Sequence, residues 1–160
     1  MKPIVTKKYL KLFIETARQK VLSVFFQYPE KGFSLSDIAK EAGVAKSHLG
    51  DILNEFYSLR FINIVKLSKI WCIKANQQNP VFIKNKIIYN LTFVYQSGLT
   101  EFLNEHFNNP KAIILFGSFR KGDDISTSDI DIAIETDEVK EHKIVTIKEL
   151  DKFEDFIKRR

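Results

Sequence analysis

Leu115-Phe116-Gly117-Ser118-Phe119-Arg120-Lys121-Gly122, followed six residues later by Ser128-Asp129-Ile130-Asp131-Ile132-Ala133-Ile134, is the stretch whose reading decides the fold. The apolar run Ala112 to Phe116 predicts a strand that ends at a glycine and a hydroxyl. A polar excursion follows, and then acid and apolar residues alternate. Period two sends Asp129 and Asp131 to one face of a second strand and Ile130, Ile132 and Ile134 to the other. The two carboxylates then lie about 6 to 7 Å apart along the chain, where they repel unless a cation neutralises them. Such a pair suits Mg²⁺, which takes one or two carboxylates and fills its shell with water and phosphate oxygens. Without a Cβ, Gly117 lets backbone N–H groups approach an anion, and the Ser118 hydroxyl adds a donor. A helix starting here would favour phosphate at its N-terminus, and Arg120 and Lys121 bring positive charge to the same turn.

Gly117-Ser118, Gly122 and Ser128-Asp129-Ile130-Asp131 together resemble the signature of the DNA polymerase beta nucleotidyltransferase superfamily, above all its minimal members. The resemblance implies that Gly117, Ser118, Arg120, Lys121 and Ser128 bind the nucleotide. It implies that Asp129 and Asp131 are catalytic and hold Mg²⁺, and that a third carboxylate sits on a later strand. No such strand is legible before Lys158-Arg159-Arg160. The expected core is therefore an αβ nucleotidyltransferase fold truncated before its last strand, with Asp151 and Asp155 matching only by residue type. The implied enzyme moves a nucleoside monophosphate from an NTP, with ATP the first choice, to an acceptor hydroxyl. By resemblance to antitoxin nucleotidyltransferases, the acceptor is a tyrosine on a toxin partner. The alternative is a DNA-binding regulator, or an antitoxin, whose nucleotidyltransferase domain only binds nucleotide or is inactive.

The 160-residue chain has room for one ordinary domain or two small ones. Its 44% hydrophobic and 28% charged residues are those of a globular protein. No apolar run reaches membrane-span length and no signal peptide opens the chain, so a cytoplasmic location without membrane contact is expected. Cys72, the single cysteine, reads as a small buried hydrophobe. Charge is unevenly spread: residues 1–74 hold 13 Lys and Arg against 6 Asp and Glu, and residues 111–160 hold 10 against 12. A nucleic-acid-facing part joined to a metal-binding part fits that asymmetry, as does a lysine-solvated helical surface.

Apolar spacing from Lys7 to Gln27 predicts one amphipathic helix or two short ones, closing at Pro29 and Gly32. Ser36 is the expected N-cap of a short helix that ends at Gly43. A second helix, from about Ala45 to Leu59, buries Leu49, Ile52, Leu53 and Phe56. Helix, glycine turn, helix is the helix-turn-helix pattern, and the segment resembles winged-helix regulators, with Arg60 where many members carry glycine. The wing is a hairpin over Phe61 to Lys74 with lysines at its tip. Ala45, Lys46, Ser47 and His48 would meet double-stranded DNA at the start of the second helix, with Lys66 and Lys69 reaching phosphate from the wing. Protein contact or dimerisation is the other use of such a domain.

The α+β arrangement expected is thus a winged helix-turn-helix domain over 1–75, a helical linker over 76–109 and a nucleotidyltransferase domain over 110–160. Asn76 to Pro80 reads as the linker itself. Ile83, Ile87, Ile88, Leu91, Val94 and Tyr95 mark a helix after it, and Leu99, Phe102, Leu103 and Phe107 mark a further turn or two. These helices either pack the domains together or pair two chains in a homodimer. Asp123 and Asp124 read as loop solvation, Glu135 as a solvent-facing acid at the strand end, and Val139 to Arg160 as a helix.

Overall fold

The computed structural model describes residues 16–67 and 70–137, with Lys66, Leu67 and Ile70 as backbone only. The helix expected from Val139, the acids Asp151 and Asp155, the residues before Thr16 and the wing tip with Lys69 lie outside the described residues. In chain order come α1 (Ala17–Gln27), β1 (Gly32–Phe33) and α2 (Leu35–Ala42), then a 3₁₀ turn (Lys46–His48), α3 (Leu49–Ser58), β2 (Ile62–Leu67) and β3 (Ile70–Ala75). α4 (Pro80–Gln96), α5 (Leu99–His106), β4 (Ala112–Phe116), α6 (Gly117–Lys121) and β5 (Asp131–Glu135) follow. The mixed α+β architecture matches the expectation.

The first seven elements build a winged helix. β2 and β3 form an antiparallel hairpin, Ile62 opposite Ala75 and Leu67 opposite Ile70, and β1 adds to the far side of β3 through Phe33 opposite Ile73. Ile62, Ile64, Val65 and Ile73 suit these strands because β-branched residues pack well on a pleated surface. Val21, Phe25, Ile38, Leu49, Leu53, Ile62 and Ile73 are fully buried between the helices and this sheet. Leu49, Ile52, Leu53 and Phe56 all point inward from α3, as their three- and four-residue spacing requires.

The turn between α2 and α3 is fixed at both ends. Gly43 caps α2 in the left-handed conformation at φ 61°, its N–H bonding back to Ala39 and Lys40. At the start of α2 the cap is Ser34, not Ser36. Ser34 Oγ accepts from the Asp37 N–H at 3.2 Å, and Asp37 Oδ2 accepts from the Ser34 N–H at 3.0 Å. This reciprocal box needs an acceptor three residues on, which Ser34 has in Asp37 and Ser36 lacks in Ala39. The hydrogen bonds from Ser34 hold the Asp37 carboxyl below the usual carboxylate range. Cys72 is half-buried rather than buried; its Sγ lies where Gly32 brings β1 close, 2.6 Å from the position a Cβ would take there.

The segment read as a linker is bolted down. Asn79 Oδ1 accepts from Val81 N and Phe82 N at 2.8 and 3.2 Å, capping α4, and its Nδ2 donates to the carbonyls of Leu59 and Arg60 at 3.0 Å each. Asn76 Nδ2 donates to the Arg60 carbonyl at 2.9 Å, and Gln77 Nε2 to that of Pro29 at 3.2 Å. Pro80 is the first helical residue of α4, where a missing N–H costs nothing. Two residues further, Phe82 is fully buried in the winged-helix core, packed on Phe26 and Phe61.

α4 therefore begins inside the winged-helix core and runs on to contact α5 and α6. Its buried face is Phe82, Lys86, Asn90 and Val94, whereas Ile88 and Tyr95 are 62% and 66% exposed. Of the apolar residues that mark this helix, Val94 is buried, Ile83 and Ile87 are half-buried, and Ile88, Leu91 and Tyr95 are exposed. α5 lays Leu99, Phe102 and Leu103 on one face of the β4–β5 hairpin, against Ile113, Ile132 and Ile134. β4 and β5 are antiparallel, from Ala112 opposite Glu135 to Phe116 opposite Asp131. Among the described residues no helix is long and apolar enough to cross a membrane.

Arg60 occupies the left-handed region at φ 56°. A side chain there costs about 1 kcal/mol. Arg60→Gly is therefore expected to raise stability by up to about 1 kcal/mol, read as a higher urea midpoint with an unchanged denaturant slope.

Candidate nucleotide site and DNA-facing surface

The strand of Ala112 to Phe116 ends because Gly117 turns the chain at φ 72°, which most residues avoid. The five-residue α6 follows and is closed by Gly122, left-handed at φ 77°. The ladder partner of Phe116 is Asp131, so the turn after β4 folds directly over the first residue of β5. The contact is close: a Cβ on Gly117 would lie 1.9 Å from Asp131 Oδ2 and 2.7 Å from its Cγ. Glycine is thus demanded twice over, by its backbone angle and by the carboxylate pressed against its Cα. Two parts of the sequence motif, Gly117 and Asp131, thus meet in space.

Of the paired acids, Asp131 is half-buried at the start of β5, and the alternation holds from there on. Ile132 and Ile134 pack inward while Ala133 and Glu135 face solvent, the solvent-facing Glu135 as expected. Asp129 departs from the expectation. It precedes the strand, exposed, in an irregular segment, so the two carboxylates do not leave one strand face in ladder register. Arg120 and Lys121 are exposed in the last turn of α6, where cations complement the helix dipole. Ser118 is half-buried, and its carbonyl accepts from the Asp123 N–H at 3.1 Å. The Ser128 hydroxyl accepts from the Ile125 N–H at 2.9 Å, so at least one of its lone pairs shapes the loop.

The loop read as solvated is partly buried. Asp124 is buried, with its Oδ1 3.1 Å from Lys86 Nζ and accepting from Asn90 Nδ2 at 2.8 Å. Lys86 Nζ also donates to the Asp124 carbonyl. Lys86 has no exposed surface at all; burial pushes its ammonium down from the ordinary lysine range, and Asp124 opposes that shift. On α4, Lys86 and Asn90, not Ile88 and Leu91, take inward positions. Reasoning from apolar periodicity missed all three residues, because it assigns every lysine and asparagine to solvent. One short loop contact also reaches the winged helix, where Ser126 donates to the Glu30 carboxylate. Burial pushes the Glu30 carboxyl up, but the hydrogen bonds from Ser126 and from its own backbone, together with the nearby Lys31 charge, leave it lowered.

A model of the nucleotidyltransferase domain family matches residues 97–160. The match starts just before α5 and includes the turn and both acids. No curated protein matches the chain. Among solved structures, the crystal structure of the S. aureus MepR–DNA complex is similar at 15% identity and a TM-score of 0.39, over 62% of this chain and 86% of that one.

On the winged helix, Ala45, Lys46, Ser47 and His48 are all exposed at the entrance to α3, with Asp51 and Asn54 exposed further along. Lys46 Nζ donates to Ser36 Oγ at 2.9 Å, which ties the first helix of the motif to the second. Lys66 is described only as backbone in β2, opposite Trp71.

Gly117→Ala tests the contact between turn and acid. It is expected to cost about 2 to 4 kcal/mol, from the left-handed angle and the displaced carboxylate together. In the Gly117→Ala/Asp131→Ala double variant the loss should be clearly less than the sum of the singles, measured by denaturant unfolding.

Proposed function

We propose that the chain is a Mg²⁺-dependent nucleotidyltransferase fused to a winged helix that binds double-stranded DNA. The observation that carries the first half is the packing of Gly117 on the Asp131 carboxylate, within the segment that the nucleotidyltransferase family model matches. A backbone with no side chain beside an acid is what a metal-bound triphosphate needs: amides for the phosphate oxygens and carboxylate for the cation. Asp129 and Asp131 offer hard oxygen donors, and two carboxylates fit Mg²⁺ when phosphate oxygens complete its shell. Bound there, Mg²⁺ would neutralise phosphate charge and polarise the transferred phosphoryl group. Gly117 and Ser118 would orient the triphosphate, and Arg120 and Lys121, on the exposed end of α6, would offset its remaining charge. The acceptor hydroxyl oxygen bonds to the α-phosphorus and loses its proton while pyrophosphate departs. ATP is the first nucleotide to test, and a tyrosine hydroxyl of a toxin-like partner protein is the acceptor that the resemblance suggests.

A second reading is a DNA-binding regulator that binds nucleotide without transferring it. It is favoured by a specific observation: among the described residues no group of three His, Cys, Asp or Glu could hold a metal ion, so no third carboxylate joins Asp129 and Asp131 there. The DNA half of both readings rests on the exposed Lys46, Ser47 and His48 at the entrance to α3, where helix-turn-helix proteins meet base edges and phosphates.

Calorimetric titration with ATP is expected to give binding that requires Mg²⁺ and disappears in Asp129→Asn/Asp131→Asn with the fold intact; unchanged binding in that variant would dismiss the metal role. Release of pyrophosphate with a partner hydroxyl present separates transfer from mere binding. For DNA, Lys46→Ala should weaken affinity alike across sequences and lower the slope of log K against log salt by about one.

A further inference from the structure

The β4–β5 ladder fixes Asp131 opposite Phe116, beside Gly117, and goes no further. Ser118 to Lys121 and Asp129 lie beyond its end, so something else must set where they stand. That something is α4. Asn90 Nδ2 donates to the Phe119 carbonyl at 2.7 Å as well as to Asp124, and the Phe93 and Phe119 rings meet edge to face at 6.3 Å. Gly122 sits so close to α4 that a Cβ would lie 3.0 Å from Ile87 Cγ1 and 3.1 Å from the Ile83 carbonyl. Lys86 then takes both the side chain and the carbonyl of Asp124. Every one of these contacts falls between the turn and Asp129, on one face of one helix.

A buried ion pair is an odd choice for stability alone. Apolar residues of similar volume do as well or better, because both ions must leave water. What the pair and the amide offer instead is direction: two donor groups, Lys86 Nζ and Asn90 Nδ2, aimed at three named oxygens hold a loop in one arrangement, where an apolar patch would tolerate several.

We propose that Lys86 and Asn90 are positioning residues. They clamp residues 119–124 to α4, and so set the turn at Gly117-Ser118 and the approach of Asp129 at a fixed relation to Asp131. The proposal rests on the reading of that turn and those acids as a nucleotide site. Neither residue touches the nucleotide; both act through the loop.

The test uses the full chain carrying Lys86→Met with Asp124→Leu, which replaces the ion pair by apolar residues and leaves no charge stranded. Thermal unfolding should stay within a few degrees of wild type. Mg–ATP affinity, measured by calorimetry, should fall about tenfold, since small displacements of positioned groups are costly. Hydrogen exchange at the Asp123 and Ser128 amides, which bond to the carbonyls of Ser118 and Ile125, should speed up while α4 stays protected. A folded double variant with wild-type Mg–ATP affinity overturns the clamp and leaves the site reading standing. Wild-type protein that binds no Mg–ATP overturns the site reading itself. If the double variant does not fold, Asn90→Leu removes both amide donations and keeps the ion pair. It should show the same two losses, and unchanged affinity in it overturns the proposal.

Discussion

An ammonium group buried without any exposed surface is the constraint around which the second half of this protein is arranged. Leaving water costs such an ion several kcal/mol, so the fold must bring it a counter-ion and further acceptors. Lys86 finds both in one residue, since Asp124 supplies a carboxylate and its own carbonyl. Asn90 donates to the same carboxylate oxygen, Oδ1, and captures the Phe119 carbonyl. No buried side-chain nitrogen or oxygen among the described residues is left without a partner. The loop from Gly122 to Ser128 follows this packing, and the two ends of that loop are the turn and the acids.

The same helix also reaches into the winged-helix core. Phe82, one turn before Lys86, belongs to the winged-helix core with Phe26 and Phe61. A single element thus has an aromatic anchor in one core and a polar anchor against the other, and the Glu30–Ser126 contact adds a second tie between the same parts. Helix rigidity makes the distance between the anchors a constant of the molecule rather than a property of a hinge.

Much of this was legible in the residues. The alternation from Asp131 to Glu135, the glycine at the end of β4 and the inward Leu49, Ile52, Leu53 and Phe56 all follow from local rules, because each is decided by backbone periodicity or by a left-handed angle. The Ser34 cap was legible too, through Asp37 three places on, had the acceptor been sought before the serine nearest the helix. Asp129 was misplaced because alternation shows which way side chains point without showing where a ladder begins. Lys86, Asn90 and Asp124 carried no local signal. Their burial is decided by residues 34 to 38 positions apart in sequence, and Ile88 and Tyr95 lie exposed on the same helix. In the candidate site, the spacing of the glycine-serine pair and the acids pointed to a turn that does pack on Asp131, whereas the arrangement that holds the loop between them had to come from tertiary packing.

Asn79 joins the end of α3 to the start of α4 with the four hydrogen bonds of its side chain, two accepted and two donated. An aspartate there could still cap α4, but it would turn a carboxylate toward the carbonyls of Leu59 and Arg60, where donors are now. Asparagine drifts to aspartate as proteins age, when the backbone nitrogen of the following residue attacks the side-chain amide. Here that residue is Pro80, whose nitrogen bears no hydrogen and cannot close the ring. The proline that opens α4 thereby also shields the residue before it, giving this junction a chemical durability that its hydrogen bonds alone could not provide.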